Sequence, residues 1–368
     1  MMSIENYIVC AISLLLLLPA CSLDKRMVNA TYSVLTRLGD TDDVVAKDLD
    51  DFDFIYLVAS PQWKVEDFDM SQEDIDRKYV EEFSYPDPAL FEKYIDTVHK
   101  NGDKVLCSFP GGEFINIADS PERRMKFARM MAAFVEKYDY DGIELDWELT
   151  VTEDLHLAFM QDIRRALDEI SDGKRQYWLT TALNFYRNYT EEQARQLCEC
   201  TDWINIMFYD MGGGTWGTVA SHNSPLDVMK DAIPRYWKYF PNEKLHIGFP
   251  SYGYCYKGIV PGEKLPEGRT LADCGRSCSY TELPSMLEQG WTEQWDEVAQ
   301  CSYFFSPDKS EFMTIETRRS MESKIDWVEE SGFGGVFWWE YTSDWIRPES
   351  PDKKGVHLLM DYVTDRVK

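Results

Sequence analysis

Basic side chains are scarce in this chain. Its 368 residues include 38 Lys and Arg against 65 Asp and Glu, a formal charge of −27. A nucleic-acid binder needs cations to displace the counterions of phosphates, so this balance argues against that class. It argues equally against docking on an anionic lipid surface. Histidine is rare too: His99, His156, His222, His246 and His357 are the five in the chain. No two of them stand at ligand spacing, so they outline no metal centre. Long hydrophobic runs are missing. Ile8 to Leu18 is nearly all apolar but only eleven residues long, whereas crossing a bilayer takes ~20. No glycine-rich phosphate loop follows the first predicted strand, which disfavours a doubly wound nucleotide-binding sheet. No low-complexity linker divides the chain, so one domain is expected.

What is present begins with that short apolar run, which reads as a signal peptide over residues 1–20. It ends in Leu18-Pro19-Ala20-Cys21, which resembles a bacterial lipobox with Cys21 as the lipidated residue. Residues 1–7 carry no Lys or Arg, only Glu5. The expectation is an exported protein, lipid-anchored in the bacterial cell envelope or otherwise secreted. It would touch a membrane only through the anchor. Beyond Cys21 there are seven cysteines: Cys107, Cys198, Cys200, Cys255, Cys274, Cys278 and Cys301. Seven is odd, so at least one stays unpaired within the chain. One or two disulfides, or buried thiols, are expected; the spacing around Cys274 and Cys278 fits no strong zinc pattern.

Eight short apolar runs alternate with helical segments. They are Val28–Leu35, Phe52–Ala59, Lys104–Phe109, Asp141–Glu148, Tyr177–Leu183, Trp203–Tyr209, Leu245–Pro250 and Gly334–Trp339. Near-continuous apolar runs suit strands buried on both faces, as in parallel sheets. Ser120-Pro121-Glu122 and Ser224-Pro225-Leu226-Asp227 each offer an N-cap followed by proline. Gly102, Gly173 and Gly332 stand where helices should stop. The fold class expected is α/β, a (β/α)8 TIM barrel over residues 24–368. About 254–315 is too long for a simple loop and reads as an insertion between strand 7 and helix 7. Insertions at that end of a strand stand beside the face where barrel enzymes place their sites.

The fourth run carries the chemistry: Asp141-Gly142-Ile143-Glu144-Leu145-Asp146-Trp147-Glu148. Alternate residues of a strand share a face. Glu144, Asp146 and Glu148 therefore point one way, and Ile143, Leu145 and Trp147 the other. In a barrel the apolar set faces the helices and the acidic set faces inward. Three neighbouring carboxyls cannot all ionise cheaply, so at least one pKa rises. A carboxyl held protonated near neutrality is what a general acid requires. Glu148, nearest the mouth, is the natural proton donor; Asp146 and Glu144 form a coupled pair behind it.

The run DGIELDWE resembles the signature of glycoside hydrolase family 18, the chitinase family, Asp-x-x-Asp-x-Asp-x-Glu on strand four. Glu144 departs from it, standing where the family usually has Asp. Other segments are similar to family motifs in the family's order. They are Ser108-Phe109-Pro110-Gly111-Gly112, Met207-Phe208-Tyr209-Asp210, Ser221 to Leu226, Gly248 to Gly253, and Gly334 to Trp339 followed by Asp344.

The resemblance implies a retaining glycosidase in which the substrate's own 2-acetamido oxygen is the nucleophile, an exception to the usual pair of catalytic carboxylates. It implies that Glu148 is acid and then base. Asp146 would orient the acetamido group, with Glu144 behind it, and Tyr209 would hydrogen-bond the acetamido oxygen. Asp210 would bind the same sugar, Met207 belongs to the same motif, and Trp339 would be the apolar floor under the reacting ring. Tyr32 and Trp216 are further subsite candidates. The implied partner is an N-acetylglucosamine-containing polysaccharide or glycan, chitin or chitooligosaccharides first. No cofactor and no metal are implied. Two alternatives stand beside this: an endo-β-N-acetylglucosaminidase acting on the N-glycan core, and a non-catalytic carbohydrate-binding protein on the same barrel.

Overall fold

The computed structural model describes residues 26–38, 48–148, 152–171, 173, 175–212, 214, 217–349 and 353–367. The signal segment, Cys21 and Trp216 lie outside the described residues.

Seven parallel strands come first in the chain: β1 (Val28–Val34), β2 (Phe54–Val58), β3 (Lys104–Pro110), β4 (Gly142–Asp146), β5 (Trp178–Asn184), β6 (Trp203–Met207) and β7 (Leu245–Pro250). Five more, β8 (Tyr252–Lys257), β9 (Gly275–Ser279), β10 (Thr292–Asp296), β11 (Cys301–Phe305) and β12 (Glu311–Thr314), follow before β13 (Gly335–Trp339). Strands β1–β7 and β13 close into a barrel in the order β1-β13-β7-β6-β5-β4-β3-β2. The eight expected strands are all present, and the barrel is the expected (β/α)8 fold. Two strands stop two residues below the expected top: β4 ends at Asp146 and β6 at Met207. Glu148, Tyr209 and Asp210 thus sit on the exits of the strands.

Period-two alternation sorts the side chains as expected. Ile143, Leu145 and Trp147 are buried in the layer between barrel and helices, and Trp147 packs edge-on against Phe114 and Phe159. The interior is filled by a second cluster that includes Tyr32, Phe54, Tyr56, Leu106, Trp203 and Phe337. Near the bottom Trp203 lies flat on His246 with ring centroids 4.8 Å apart. Gly248 on β7 leaves room for Phe337, whose ring lies 2.4 Å from where a Cβ would stand.

Helix ends follow local chemistry, with differences at Gly173, which lies two residues beyond the Ser171 that ends the helix Glu153–Ile170, and at Ser224. Ser120 accepts from the Arg123 N–H and caps Pro121–Lys137, and Gly102 and Gly332 end their helices at positive φ. Ser224, expected to cap the helix Leu226–Tyr236, does not. Pro225 holds the cap position, while the Ser224 hydroxyl donates to the Phe208 carbonyl 2.6 Å away. A buried hydroxyl takes the nearest acceptor, here the backbone leaving β6. The first helical N–H, that of Leu226, finds the Ala299 carbonyl instead.

Strands β8–β12 form one sheet in the order β10-β11-β12-β8-β9. Strand β8 begins two residues after β7 ends, so this sheet rises from the mouth of the barrel. All seven cysteines from Cys107 onward are free thiols, five of them buried. No described helix is long and apolar enough to cross a membrane.

Candidate active site

Strand β4 delivers the carboxyls as its alternation demands. Glu144 is wholly buried inside the barrel, in register with Ser108 on β3 and Thr180 on β5. Ser108 Oγ donates to Glu144 Oε2 at 2.7 Å. Burial raises the Glu144 pKa to about 7, with the Ser108 hydrogen bond opposing the rise. Asp146, one step higher, is raised well above the usual carboxylate range by burial and then by the charges of Glu144 and Glu148. Its Oδ1 is buried and has no hydrogen-bond partner in the protein. Glu148 is exposed at the strand exit. Withdrawal of its carboxyl from water raises its pKa, and the Asp210 charge raises it further. Its backbone carbonyl is clamped by Asn184 Nδ2 at 3.0 Å and Arg187 Nη2 at 2.7 Å. The row is therefore a stack of three carboxyls whose pKa values are all raised, with the outermost residue at the exposed strand exit.

Other strands close the ring around it. Tyr209 is nearly buried beyond β6, and its phenol is kept protonated by burial and by four neighbouring carboxyls, Asp146 foremost. Asp210 follows it and lines a cleft of about 560 Å³ together with Trp339, Tyr252, Tyr254, Ser277, Ser279, Glu282 and Arg37. Trp339 is the inward member of its pair. It lies over Tyr32 with ring centroids 5.3 Å apart, whereas Trp338 is fully buried against Phe249 on the helix side. The insertion forms one wall of the cleft through β8 and β9.

Two candidates sit otherwise. Tyr32 is only 1% exposed and is sealed beneath Trp339. It offers no face to a sugar and serves as support, its phenol raised by burial and the Glu144 and Asp146 charges. Met207 is 5% exposed and packs in the interior cluster below Tyr209. Gly111 of the Ser108 to Gly112 segment serves close packing, since a Cβ there would stand 2.9 Å from the Trp63 ring.

Several residues of the site were not singled out from sequence. Tyr252 donates to Asp210 Oδ1 at 2.7 Å and Tyr254 donates to the same oxygen. Arg37 reaches the buried Glu340 at 3.3 Å beside Trp339. Ser108 was visible as part of a motif but carried no role. Tyr252 likewise stood in the Gly248 to Gly253 motif without a role; for Tyr254 the only sequence signal was the aromatic alternation of β8, Tyr252-Gly253-Tyr254-Cys255-Tyr256.

A closed parallel barrel with a carboxyl stack at the C-terminal mouth, an aromatic floor and an open cleft defines a class, that of barrel enzymes whose reaction is run by protonated and ionised carboxyls. The particular family follows from comparison. The sequence profile of glycosyl hydrolases family 18 matches residues 40–344, and the chain belongs to that family. It is 28% identical over 262 residues to an endochitinase of Manduca sexta, covering 60% of this chain and 46% of that one. It is 26% identical over 271 residues to chitinase A1 of Niallia circulans, covering 63% and 38%. The chain thus spans less than half the length of these two relatives. Its fold matches the crystal structure of a Cycas revoluta family 18 chitinase in complex with (GlcNAc)3, with a TM-score of 0.72, 18% identity, and 92% and 99% of the two chains covered.

Proposed function

We propose that this protein is a retaining glycosidase that cleaves β-1,4-linked N-acetylglucosamine chains, chitin or its oligosaccharides, with the substrate's acetamido group as nucleophile. The observation that carries the reading is the arrangement of the mouth. Glu148, exposed at the strand exit, follows a buried carboxyl, Asp146, that has one oxygen without a protein partner; Tyr209 lies beside both, and Trp339 lines the adjoining cleft with Asp210. An enzyme using a second carboxylate as nucleophile needs that group accessible and ionised at the sugar. Asp146 is buried, with its pKa raised and Glu144 beside it to share its proton, which suits orienting an amide better than attacking a carbon. The family membership and the names of the relatives, chitinases among them, support the same substrate class.

In this mechanism Glu148, its pKa raised by burial and by the Asp210 charge, gives its proton to the leaving glycosidic oxygen. Asp146 Oδ1 accepts the acetamido N–H and stabilises the positive charge that spreads to that nitrogen. The Tyr209 hydroxyl donates to the acetamido oxygen and aims it at the anomeric carbon. Glu148, now ionised, takes a proton from the water that opens the ring. The Ser108–Glu144 hydrogen bond gives Asp146 a neighbour able to share its proton. Trp339 supplies the apolar face beneath the distorted sugar.

The test is incubation with chitin oligosaccharides and, separately, with a high-mannose glycoprotein, read by mass spectrometry. Cleavage of the oligosaccharides alone is expected. Cleavage of the glycoprotein alone moves the substrate to the N-glycan core, and retained binding with neither cleaved makes the protein a lectin. The export reading joins this proposal: Cys21 carries a lipid that holds the enzyme in a bacterial envelope. A Cys21→Ala variant should lose the lipid mass from its N-terminus and leave the membrane fraction; unchanged partitioning sinks the anchor.

A further inference from the structure

Asp210 stands where barrel and insertion meet. Its φ is +57°, a left-handed conformation that Asp adopts more readily than most residues. Its N–H donates to Asn223 Oδ1 at 2.7 Å, and Asn223 Nδ2 donates to the Tyr252 carbonyl at 3.0 Å. Asn223 is 2% exposed, so the backbone of Asp210 is pinned to the start of β8 through a buried amide. The side chain is tied to the same strand. Tyr252 and Tyr254 both donate to Oδ1, which leaves Oδ2 for other partners.

The nature of these donors matters. Among the described residues no Lys, Arg or His forms an ion pair with Asp210. A cation would cancel its charge; two phenols stabilise the charge and leave its field in place. That field is the largest charge effect on Glu148. The groups that face Asp210 are Glu148 with Arg187 beside it, Tyr209, and Tyr252, Tyr254 and Tyr256 from β8. Glu282 and the Arg37–Glu340 pair line the same cleft. Burial pulls Asp210 towards the protonated state, and the two phenols, Tyr254 first, pull it back.

We infer that Tyr254 is a positioning residue for the reaction: by donating to Asp210 Oδ1 from the insertion, it holds Asp210 ionised and oriented beside the acid Glu148. The inference rests on the glycosidase reading above. It gives the insertion a chemical role, because a strand outside the barrel sets the charge state of a barrel residue. The neighbouring Tyr252 shares the task, but Tyr254 lies one alternation further along β8, where its ring packs on Tyr252 and Tyr256.

The experiment is Tyr254→Phe, which keeps the ring and its packing against Tyr256 and removes the donor. The rate on a fluorogenic N,N′-diacetylchitobioside is followed against pH. The acidic limb, where Asp210 gains its proton, should move up by about 0.5–1 pH unit. The loss in kcat should be greatest at low pH and fade above the limb. Tyr252→Phe should move the limb the same way. A uniform drop at all pH values, with the limb unmoved, would mean that Tyr254 is merely structural and would overturn the inference. If the wild type does not cleave the probe, the glycosidase reading fails by itself. The inference is then read from the Asp210 carboxyl titration by 13C NMR, which should still move upward in Tyr254→Phe; an unmoved titration rejects it.

Discussion

Asp141 and Asp146 occupy the two ends of one strand region, and the protein treats them in opposite ways. Asp141, at the bottom, is buried but surrounded by donors: His99 Nε2 at 2.7 Å, Lys104 Nζ at 3.2 Å and the Val105 N–H at 3.0 Å. Burial alone would raise its pKa; the His99 and Val105 hydrogen bonds, with the His99 and Lys104 charges, bring it below the usual range. Asp146, at the top, has burial and two acidic neighbours and, among the described residues, no cation to offset them, so it goes the other way. The bottom of a barrel strand carries stability and the top carries chemistry. The difference teaches that a buried acid is not functional by burial alone; what matters is whether its partners neutralise it.

The largest effect should come from the top of the row. Glu148→Gln keeps the shape and removes the proton, so turnover should fall by roughly 10²–10⁴-fold with binding of chitin oligosaccharides largely kept. Unchanged turnover would remove Glu148 from the reaction and dissolve the contrast between the two ends.

A pair of isosteric changes probes the contrast directly. Asp141→Asn should cost about 2–3 kcal/mol of stability, measured by denaturant unfolding, because its donors lose a charged acceptor. Its kcat should stay near wild type. Asp146→Asn should do the reverse, with turnover down by a large factor and stability equal or higher, since an uncompensated buried acid has gone. If both variants lose stability alike, the two ends are not different in kind.

The smallest effect is a slope. Asp141 has a depressed folded pKa, so its contribution is present above about pH 4 and lost as pH falls through the folded value. Glu144 has a raised one. Between its unfolded value near 4.5 and its folded value of about 7 the native state holds more protons than the unfolded state, so stability falls as pH rises across that window. The fall is worth up to about 3 kcal/mol. Glu144→Gln should flatten it. A wild-type unfolding free energy that does not decline between pH 5 and pH 8 would show that Glu144 is not held protonated.

Much of this was legible in the sequence, for a physical reason. The strands were found because buried parallel strands are apolar throughout, and the acids were placed on the inner face because side chains alternate with a period of two. The identity of Trp339 as the inward tryptophan follows from the same count. Ser224 was misplaced as a cap because its sequence context, Ser-Pro-Leu-Asp, says nothing about the Phe208 carbonyl sixteen positions back. Tyr32 on strand one was a subsite candidate, but the Trp339 ring that covers it comes from the far end of the chain.

What the sequence by itself determined is therefore everything that repeats locally: eight strands, their faces, the row Glu144, Asp146 and Glu148, and the long segment after β7. What only the tertiary structure decided is the state of each acid. A pKa depends on the groups that packing brings within a few ångströms. The donors that distinguish Asp141 from Asp146, and the tyrosines that hold Asp210, come from segments 36 to 44 positions away.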